Sequence, residues 1–383
     1  MVLQVKRNEN APPRSFTPHS SIKSIGSRLR SSIHDPNRRR RARTAHGSKF
    51  ATEQAKRKSK TKSPTTVQFQ VTSVSTPQTA DVEMQDVEPR SSLTTKAYRL
   101  PKELLRPAFQ EISKETLLTV EPELGEDLPE LEYIRDAMED IGPGLLRAVV
   151  SVVADPPKDA LPTEIAITVN DHSDYPPPTH MLAIHGRAAK DAPGASRRQV
   201  TLVPAHSIVL ALHCARLPKL TPSPSPPAYT SDDRTQLVVP VQPLCLPSPT
   251  TFSLLSSFLY TKRADHLLKA LLPCPPPPTL GDDRTKLPAF AGRLAGTYTA
   301  QALLLHVNSV HGLWQNACVL GVYTDELWDT IDLAWEVLLT AMAISQGMPH
   351  LMLKPPASPL PSPALGEVAS TPEPDSVAST PTA

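Results

Sequence analysis

Apolar residues recur with a regular period only in the middle of the chain. Residues 1–98 and 351–383 lack such a period and are rich in serine, threonine and proline, with many basic residues near the N-terminus. Segments of this composition bury too little apolar surface to offset the entropy lost on ordering. The pattern therefore predicts a disordered basic tail and linker over 1–98, a folded domain over 99–350 and a disordered Pro/Ser/Thr-rich tail over 351–383.

The first part of the folded region has apolar residues at the spacing of a helix. Residues 104–109 predict a short first helix, and residues 131–141 predict a stronger one with its apolar side chains on one face. The Gly-Pro-Gly sequence at 142–144 is expected to end that helix, because proline lacks the N–H that a helix interior needs. A further apolar segment follows at 145–153.

The period of the pattern then changes to two. Residues 164–169 alternate and predict a strand, and residues 180–184 and 199–203 predict two more. Residues 237–241 predict an edge strand, because Pro240 has no N–H to donate to a neighbouring strand. Further apolar stripes predict helices at 208–215, 252–259, 267–272, 303–310 and 327–345.

The last of these stripes is the clearest helix of the chain. Thr324 is expected to cap it with its side-chain hydroxyl. Asp329, Asp332 and Glu336 are expected to keep one side of it in solvent, which is typical of a packed surface helix. Together the elements predict an α+β fold, in which a small sheet is flanked by helices and followed by a helical C-terminal part.

Composition narrows the classes of protein further. Proline accounts for 44 of 383 residues and aromatic residues for 4%, which fits one folded domain with long tails. There is no uninterrupted apolar run of about 18 residues, so no membrane span is expected. Lys6, Arg7 and Glu9 stand where a signal peptide would be apolar. Four cysteines without a CxxC pair predict reduced thiols in an intracellular protein.

Charge is distributed unevenly along the chain. Residues 1–62 hold 17 Lys and Arg against three acids, a net charge of +14. The remaining 321 residues hold 23 Lys and Arg against 35 acids, a net charge of −12. A basic tail joined to an acidic body is informative about partners and localisation rather than about fold.

Two basic clusters in the tail are spaced like a bipartite nuclear localisation signal. Twelve residues separate them, and they consist of Arg38, Arg39, Arg40, Arg41 and Arg43, and of Lys56, Arg57 and Lys58. The alternative is a tail that binds nucleic-acid phosphates without sequence preference. Ser63 precedes a proline next to the second cluster and is a candidate phosphorylation site, where added charge would partly cancel the basic charge.

Three common catalytic motifs are absent from the sequence. There is no GxSxG elbow, no HExxH pair and no glycine-rich phosphate loop. His206, His213 and Cys214 lie close together in sequence, but two helical turns separate the histidines, about 10 Å along a helix axis. That separation is too long for one metal ion. We therefore expect no enzyme activity, no catalytic residue, no cofactor and no metal site.

Two segments resemble the BTB/POZ module. Residues 204–211 are similar to its third strand leading into an Ala-His helix, and Phe252–Thr261 is similar to its helix that ends in Phe-Leu-Tyr-Thr. Lys262 departs from the family, which usually has glycine at that position. The resemblance implies a BTB-like interaction domain, and a generic sheet with flanking helices remains the alternative.

A second resemblance covers about residues 100–350. Residues 204–211, 258–263, 312–316 and 327–338 together resemble the clampless protein family of basidiomycete fungi. That resemblance implies a nuclear, non-enzymatic regulator of sexual, dikaryotic development that acts downstream of mating-type homeodomain proteins. It transfers no catalytic residue. Three tryptophans in or near these segments, Trp314, Trp328 and Trp335, are expected to pack in the core, with Trp328 a candidate for contacting a second helix or a partner.

These observations lead to one expected function and two alternatives. We expect a nuclear protein that binds transcription factors or cell-cycle regulators and, through its tail, a nuclear import receptor. It is expected to bind neither a membrane nor a specific nucleic acid, and a homodimer is implied by the BTB/POZ comparison alone. The alternatives are a BTB-type adaptor for protein turnover and a protein that binds nucleic acid nonspecifically through its basic tail.

Overall fold

The computed structural model describes residues 66–75, 92–125, 129–155, 160–170, 175–187, 199–220 and 235–353. The strands are β1 (Thr66–Ser75), β2 (Ser92–Pro101), β3 (Val152–Ala154), β4 (Glu164–Val169), β5 (His180–His185), β6 (Val200–Ala205) and β7 (Thr235–Cys245). The α-helices are α1 (Lys114–Val120), α2 (Leu131–Val150), α3 (Ser207–His213), α4 (Phe252–Thr261), α5 (Ala264–Leu271), α6 (Leu287–Thr297), α7 (Ala300–Leu320) and α8 (Asp325–Ser345). Short 3-10 helices lie at Pro122–Leu124, Pro249–Thr251, Arg284–Lys286 and Pro349–Leu351. This element order confirms the α+β class and the helical C-terminal part.

Five strands form one sheet in the order β3-β4-β7-β5-β6, in which β5 and β7 run parallel and the other neighbours antiparallel. The prediction that residues 237–241 form an edge strand is wrong, because β7 is the middle strand. The Val241 N–H donates to Thr163 O, so the nitrogen of Pro240 points to the other side, towards β5. Since the ladder with β5 begins only at Val241, proline fits at position 240 without removing a bond.

Two apolar clusters hold the sheet and helices together. The larger one packs the helices against one face of the sheet through side chains such as Leu182, Ile184 and Leu244. The smaller one is built from strand residues, and its buried members are Ile165, Ile167, Val169, Met181 and Val239. Strands therefore supply the buried members of this second cluster on the face of the sheet away from the helices.

Part of the segment predicted as a linker is a β-hairpin. β1 and β2 pair antiparallel along their whole length, from Thr66 opposite Pro101 to Ser75 opposite Ser92. Val67, Phe69 and Val71 alternate along β1, and their side chains are buried. The Gln346 side chain, just after α8, donates to Gln70 O and accepts from Gln70 N–H. The prediction of a linker over 66–75 and 92–98 is wrong, because these buried side chains pack the hairpin onto the C-terminal helices.

Two helix predictions in the N-terminal part also differ from the structure. Residues 104–109 form no helix, and the first α-helix is instead α1. The predicted stop at 142–144 is wrong, because α2 continues through it to Val150. Pro143 is exposed, so the backbone bond that it cannot make lies on the solvent side of the helix. Gly142 and Gly144 let the helix approach Tyr260 and Tyr175 closely, and this packing stabilises the continued helix.

The long helix α8 is confirmed, but its predicted cap is not formed. Thr324 occupies the N-cap position without a side-chain hydrogen bond. At α7, by contrast, Thr299 Oγ1 accepts from the Ala302 N–H. Most of α8 is buried beneath α5, α6 and α7, so its solvent side is a narrow stripe that carries Asp329 and Glu336. No helix among the described residues is long and apolar enough to cross a membrane.

Candidate functional site

The predicted localisation and phosphorylation residues lie outside the described part of the chain. They are Arg38, Arg39, Arg40, Arg41, Arg43, Lys56, Arg57, Lys58 and Ser63. The import signal and the phosphorylation site therefore stay predictions.

His206 joins the two segments that resemble the BTB/POZ module. Its backbone N–H donates to Tyr260 Oη over 2.9 Å, and its ring Nε2 lies 3.0 Å from Pro176 O. A carbonyl accepts, so Nε2 carries the proton and Nδ1 accepts from the Tyr260 hydroxyl at 3.0 Å. Burial lowers the pKa of His206 to about 4. His206 is thus a neutral structural histidine that ties α3 to α4 and to the loop before β5.

Lys262 ends α4 in a left-handed backbone conformation, with φ of 54°. Its Nζ lies 3.0 Å from His213 Nδ1 at the end of α3. Because an ammonium group only donates, Nδ1 accepts and the proton of the neutral ring sits on Nε2, which has no hydrogen-bond partner within the described part of the chain. From α2, the Arg135 Nε donates to the carbonyl of Leu212 over 3.0 Å.

Lys262, His213, Arg135 and Cys214 are here called the Lys262 cluster, and burial shifts the pKa values of its titratable groups. Lys262 as a residue keeps some contact with solvent, but its ammonium group is enclosed. Desolvation, together with Arg135, lowers the pKa of Lys262 to about 7, while Cys214, Glu139 and Glu326 act in the opposite direction. Desolvation also raises the pKa of the Cys214 thiol to about 12. The cluster therefore holds a lysine that changes charge near neutral pH.

His206 and His213 belong to separate hydrogen-bond sets, one with Tyr260 and the other with Lys262. No group of three or more His, Cys, Asp or Glu side chains among the described residues could hold a metal ion. The sequence singled out both histidines and noted Lys262 as a departure from the BTB/POZ pattern. The sequence did not indicate that Arg135 joins the Lys262 cluster, because no local pattern shows that α2 packs beside the end of α3.

A second site is formed where residues 101–106, here called the strap segment, cross α7 and α8. The indole Nε1 of Trp335 donates to Pro101 O over 3.1 Å. The indole Nε1 of Trp314 donates to Leu105 O over 2.9 Å. Two tryptophan side chains therefore hold the main chain of the strap segment at positions four residues apart.

Arg106 fixes the end of the strap segment to an acidic stripe on α8. Its guanidinium Nη2 lies 2.6 Å from Asp329 Oδ1 and 2.7 Å from Asp332 Oδ2, and Nη1 lies 3.8 Å from Asp325 Oδ1. The Arg106 side chain is only 16% exposed. Its hydrogen bonds to Asp329 and Asp332 are charge-assisted, and such bonds are stronger than hydrogen bonds between neutral groups.

The three tryptophans have different surroundings. Trp328 is buried, and its Nε1 donates to Val322 O within the turn before α8. Trp335 is also buried, whereas Trp314 is half-buried. The expectation of core packing is confirmed for Trp328 and Trp335, and Trp328 faces the interior instead of a partner. Trp314 and Trp335 have a role that the sequence did not show, since the segment they bind lies more than 200 residues away.

Part of the sheet is exposed and apolar. Val153, Ala166 and Val238 lie on one face of β3, β4 and β7, because Val153 is opposite Thr168 and Ala166 is opposite Val238. Val153 is 57% and Val238 50% exposed. β3 and β6 end the sheet in the described part of the chain, so each offers a strand edge.

Two family models match the chain. The model of the Clampless protein 1 N-terminal domain matches residues 107–247, and that of the Clampless protein 1 C-terminal domain matches residues 265–375. Together they cover about two thirds of the chain. No curated protein and no solved structure matches it. The BTB/POZ-like core stays a prediction.

Proposed function

The chain belongs to the clampless protein family, and from this membership we propose that it is a nuclear, non-enzymatic regulator of sexual development that acts through protein–protein contacts. The family match supports the developmental role, and the basic clusters of the tail support nuclear action. On this proposal the chain works downstream of mating-type homeodomain proteins, as the resemblance implies. Its partners are transcription factors or cell-cycle regulators.

The observation that best supports action through contacts is the exposed apolar face of the sheet. Solvent-facing valines on β3 and β7, on either side of β4, offer apolar area to a partner, and the adjoining edge of β3 offers main-chain donors and acceptors. The buried titratable groups support a non-enzymatic role, since His206 uses its ring nitrogens in structural hydrogen bonds. We propose that partners bind this face of β3, β4 and β7.

The test expresses the Val238→Glu variant in place of the wild-type protein in a fungus that encodes this chain. A carboxylate at position 238 of the apolar face would be costly to bury beneath a partner, so nuclear partners should be lost and clamp-cell development altered. Affinity purification from nuclei and scoring of clamp cells in compatible crosses measure both effects.

Leu305→Glu is the matched control. Leu305 is 64% exposed on α7, away from the sheet, and the substitution introduces the same charge. Its partners and clamp cells should equal those of the wild type. Retention of every partner and normal development with Val238→Glu would contradict the proposed binding face, provided that the variant accumulates to the wild-type level.

A further inference from the structure

The strap segment is held in the manner of a bound peptide. Among the described residues, positions 102–112 make no backbone–backbone hydrogen bond outside regular elements, and they belong to no helix or strand. Two indole N–H groups hold the carbonyls of Pro101 and Leu105 instead. Side-chain donors that read main-chain carbonyls accept many sequences, as in grooves that bind extended peptides.

The side chains of the strap segment supply the specificity. Leu104 is 7% exposed and packs into the main core, whereas Leu105 next to it is 61% exposed. Arg106 follows, and its guanidinium forms ion pairs with Asp329 and Asp332 of α8. The groove thus reads an apolar residue and, two positions later, an arginine, on a main chain that belongs to no helix or strand.

The residues that form the groove lie inside the matched family domains, whereas the strap segment lies outside them. The side chains that form the groove lie inside the C-terminal domain match, and they are Trp314, Asp325, Asp329, Asp332 and Trp335. Residues 101–106 precede the N-terminal domain match, which begins at residue 107. The receptor side therefore belongs to the matched family domains, and the segment that fills it lies outside them.

We propose that the groove between α7 and α8 is a docking site for an extended, arginine-containing segment of a partner protein, and that the strap segment occupies it in cis. This inference rests on the proposed function, because it names the chemistry of one partner. The partner segment carries a leucine-like residue two positions before an arginine. Since the strap segment is tethered at both ends, its effective concentration is high, and a partner binds after the strap segment is released.

The test uses the full-length chain with Arg106→Glu, which places a carboxylate against the aspartates and releases the strap segment. The probe is a fluorescein-labelled peptide with the sequence of residues 100–112, titrated by fluorescence anisotropy. We expect Arg106→Glu to bind it at least tenfold more tightly than the wild type does. A second peptide, carrying the R106E change, should not bind.

Arg99→Glu is the control, because it makes the same substitution at an exposed position of β2 outside the groove. Its affinity should equal that of the wild type. Arg106→Ala repeats the measurement with a milder change, and circular dichroism verifies the fold of each variant. Equal affinity for wild type and both Arg106 variants, or equal binding of the two peptides, would overturn the inference. The titration uses purified protein, so its failure would leave the developmental and partner tests of the proposed function untouched.

Discussion

At the scale of single residues, Lys262 is the most unusual position in the fold. Among the described residues it is the one non-glycine residue with a positive φ, at a helix end where glycine is the common choice. A side chain in this conformation costs on the order of 1 kcal/mol. Its ammonium group is also enclosed near Arg135, which adds an electrostatic cost. The position therefore destabilises the fold twice, once through the backbone and once through charge.

Replacing Lys262 by methionine should change the pH dependence of stability. The pKa of the Lys262 ammonium is about 7 in the fold against an ordinary value of 10.5, so the unfolded chain binds the extra proton between these pH values. Lysine therefore makes the fold progressively less stable as pH falls from about 10.5 to about 7. Lys262→Met removes this loss and should raise the free energy of unfolding at pH 7 by up to roughly 4 kcal/mol, at about 1.4 kcal/mol for each pKa unit.

Urea unfolding of both chains between pH 7 and pH 10 measures the effect as a difference between variant and wild type. The difference should shrink as pH rises. Lys269→Met, at an exposed position of α5, is the control and should show no such trend. A Lys262→Met difference that is constant across this range would show that the lysine does not lose its proton in the fold.

At the scale of elements, α2 shows how packing outweighs local signals. Gly-Pro-Gly normally ends a helix, yet α2 continues because its glycines face α4 and Tyr175. A Cβ at Gly142 would overlap the carbonyl oxygen of Tyr260, a backbone atom that cannot rotate away. The absence of a side chain is therefore what permits the two helices to touch.

Gly142→Ala should lower the free energy of unfolding by about 2–4 kcal/mol, because α2 and α4 must separate. Gly292→Ala in α6 should raise it by about 0.5–1 kcal/mol, since a Cβ there meets no atom and alanine favours the helix. Chemical denaturation of both variants gives the two values. A loss at Gly142 no larger than about 0.5 kcal/mol would be incompatible with the close approach of α2 and α4.

At the scale of the whole molecule, the basic tail and the acidic remainder have separate tasks in the proposed function. The tail carries +14 over residues 1–62 and the rest −12. Import receptors bind two spaced basic clusters, so the tail is expected to determine where the protein is localised. Partner binding is expected to depend on the folded part. This division predicts that localisation and folding can be altered independently.

Deleting residues 38–58 from a fluorescent fusion should move the protein from the nucleus to the cytoplasm without changing its thermal unfolding. Fluorescence microscopy of living hyphae measures localisation. Substitution of Lys23, Arg28 and Arg30 by alanine is the control, because it removes basic charge from the same tail outside the two clusters. A nuclear signal equal to that of the wild type after the deletion would refute the bipartite signal.

The sequence predicted the elements whose patterns are long and local. The strands β4, β5 and β6, and the helices α4, α5, α7 and α8, follow from runs of period two or near 3.6. β1 was missed although Val67, Phe69 and Val71 alternate, because three apolar residues in a polar segment are a weak signal. The central place of β7 was missed because a proline argues for an edge unless the neighbouring strand is known to begin later.

The sequence by itself determined the α+β class, the helical C-terminal part, the uneven charge and the resemblance to the clampless family. Each of these depends on residue order, composition or short motifs, which need no knowledge of distant contacts. Only the tertiary structure decided that Lys262 lies beside His213, that α2 crosses a Gly-Pro-Gly sequence and that the strap segment lies on two tryptophans. Those features join residues between about fifty and more than two hundred positions apart, or depend on packing against such residues, and chain folding alone brings them together.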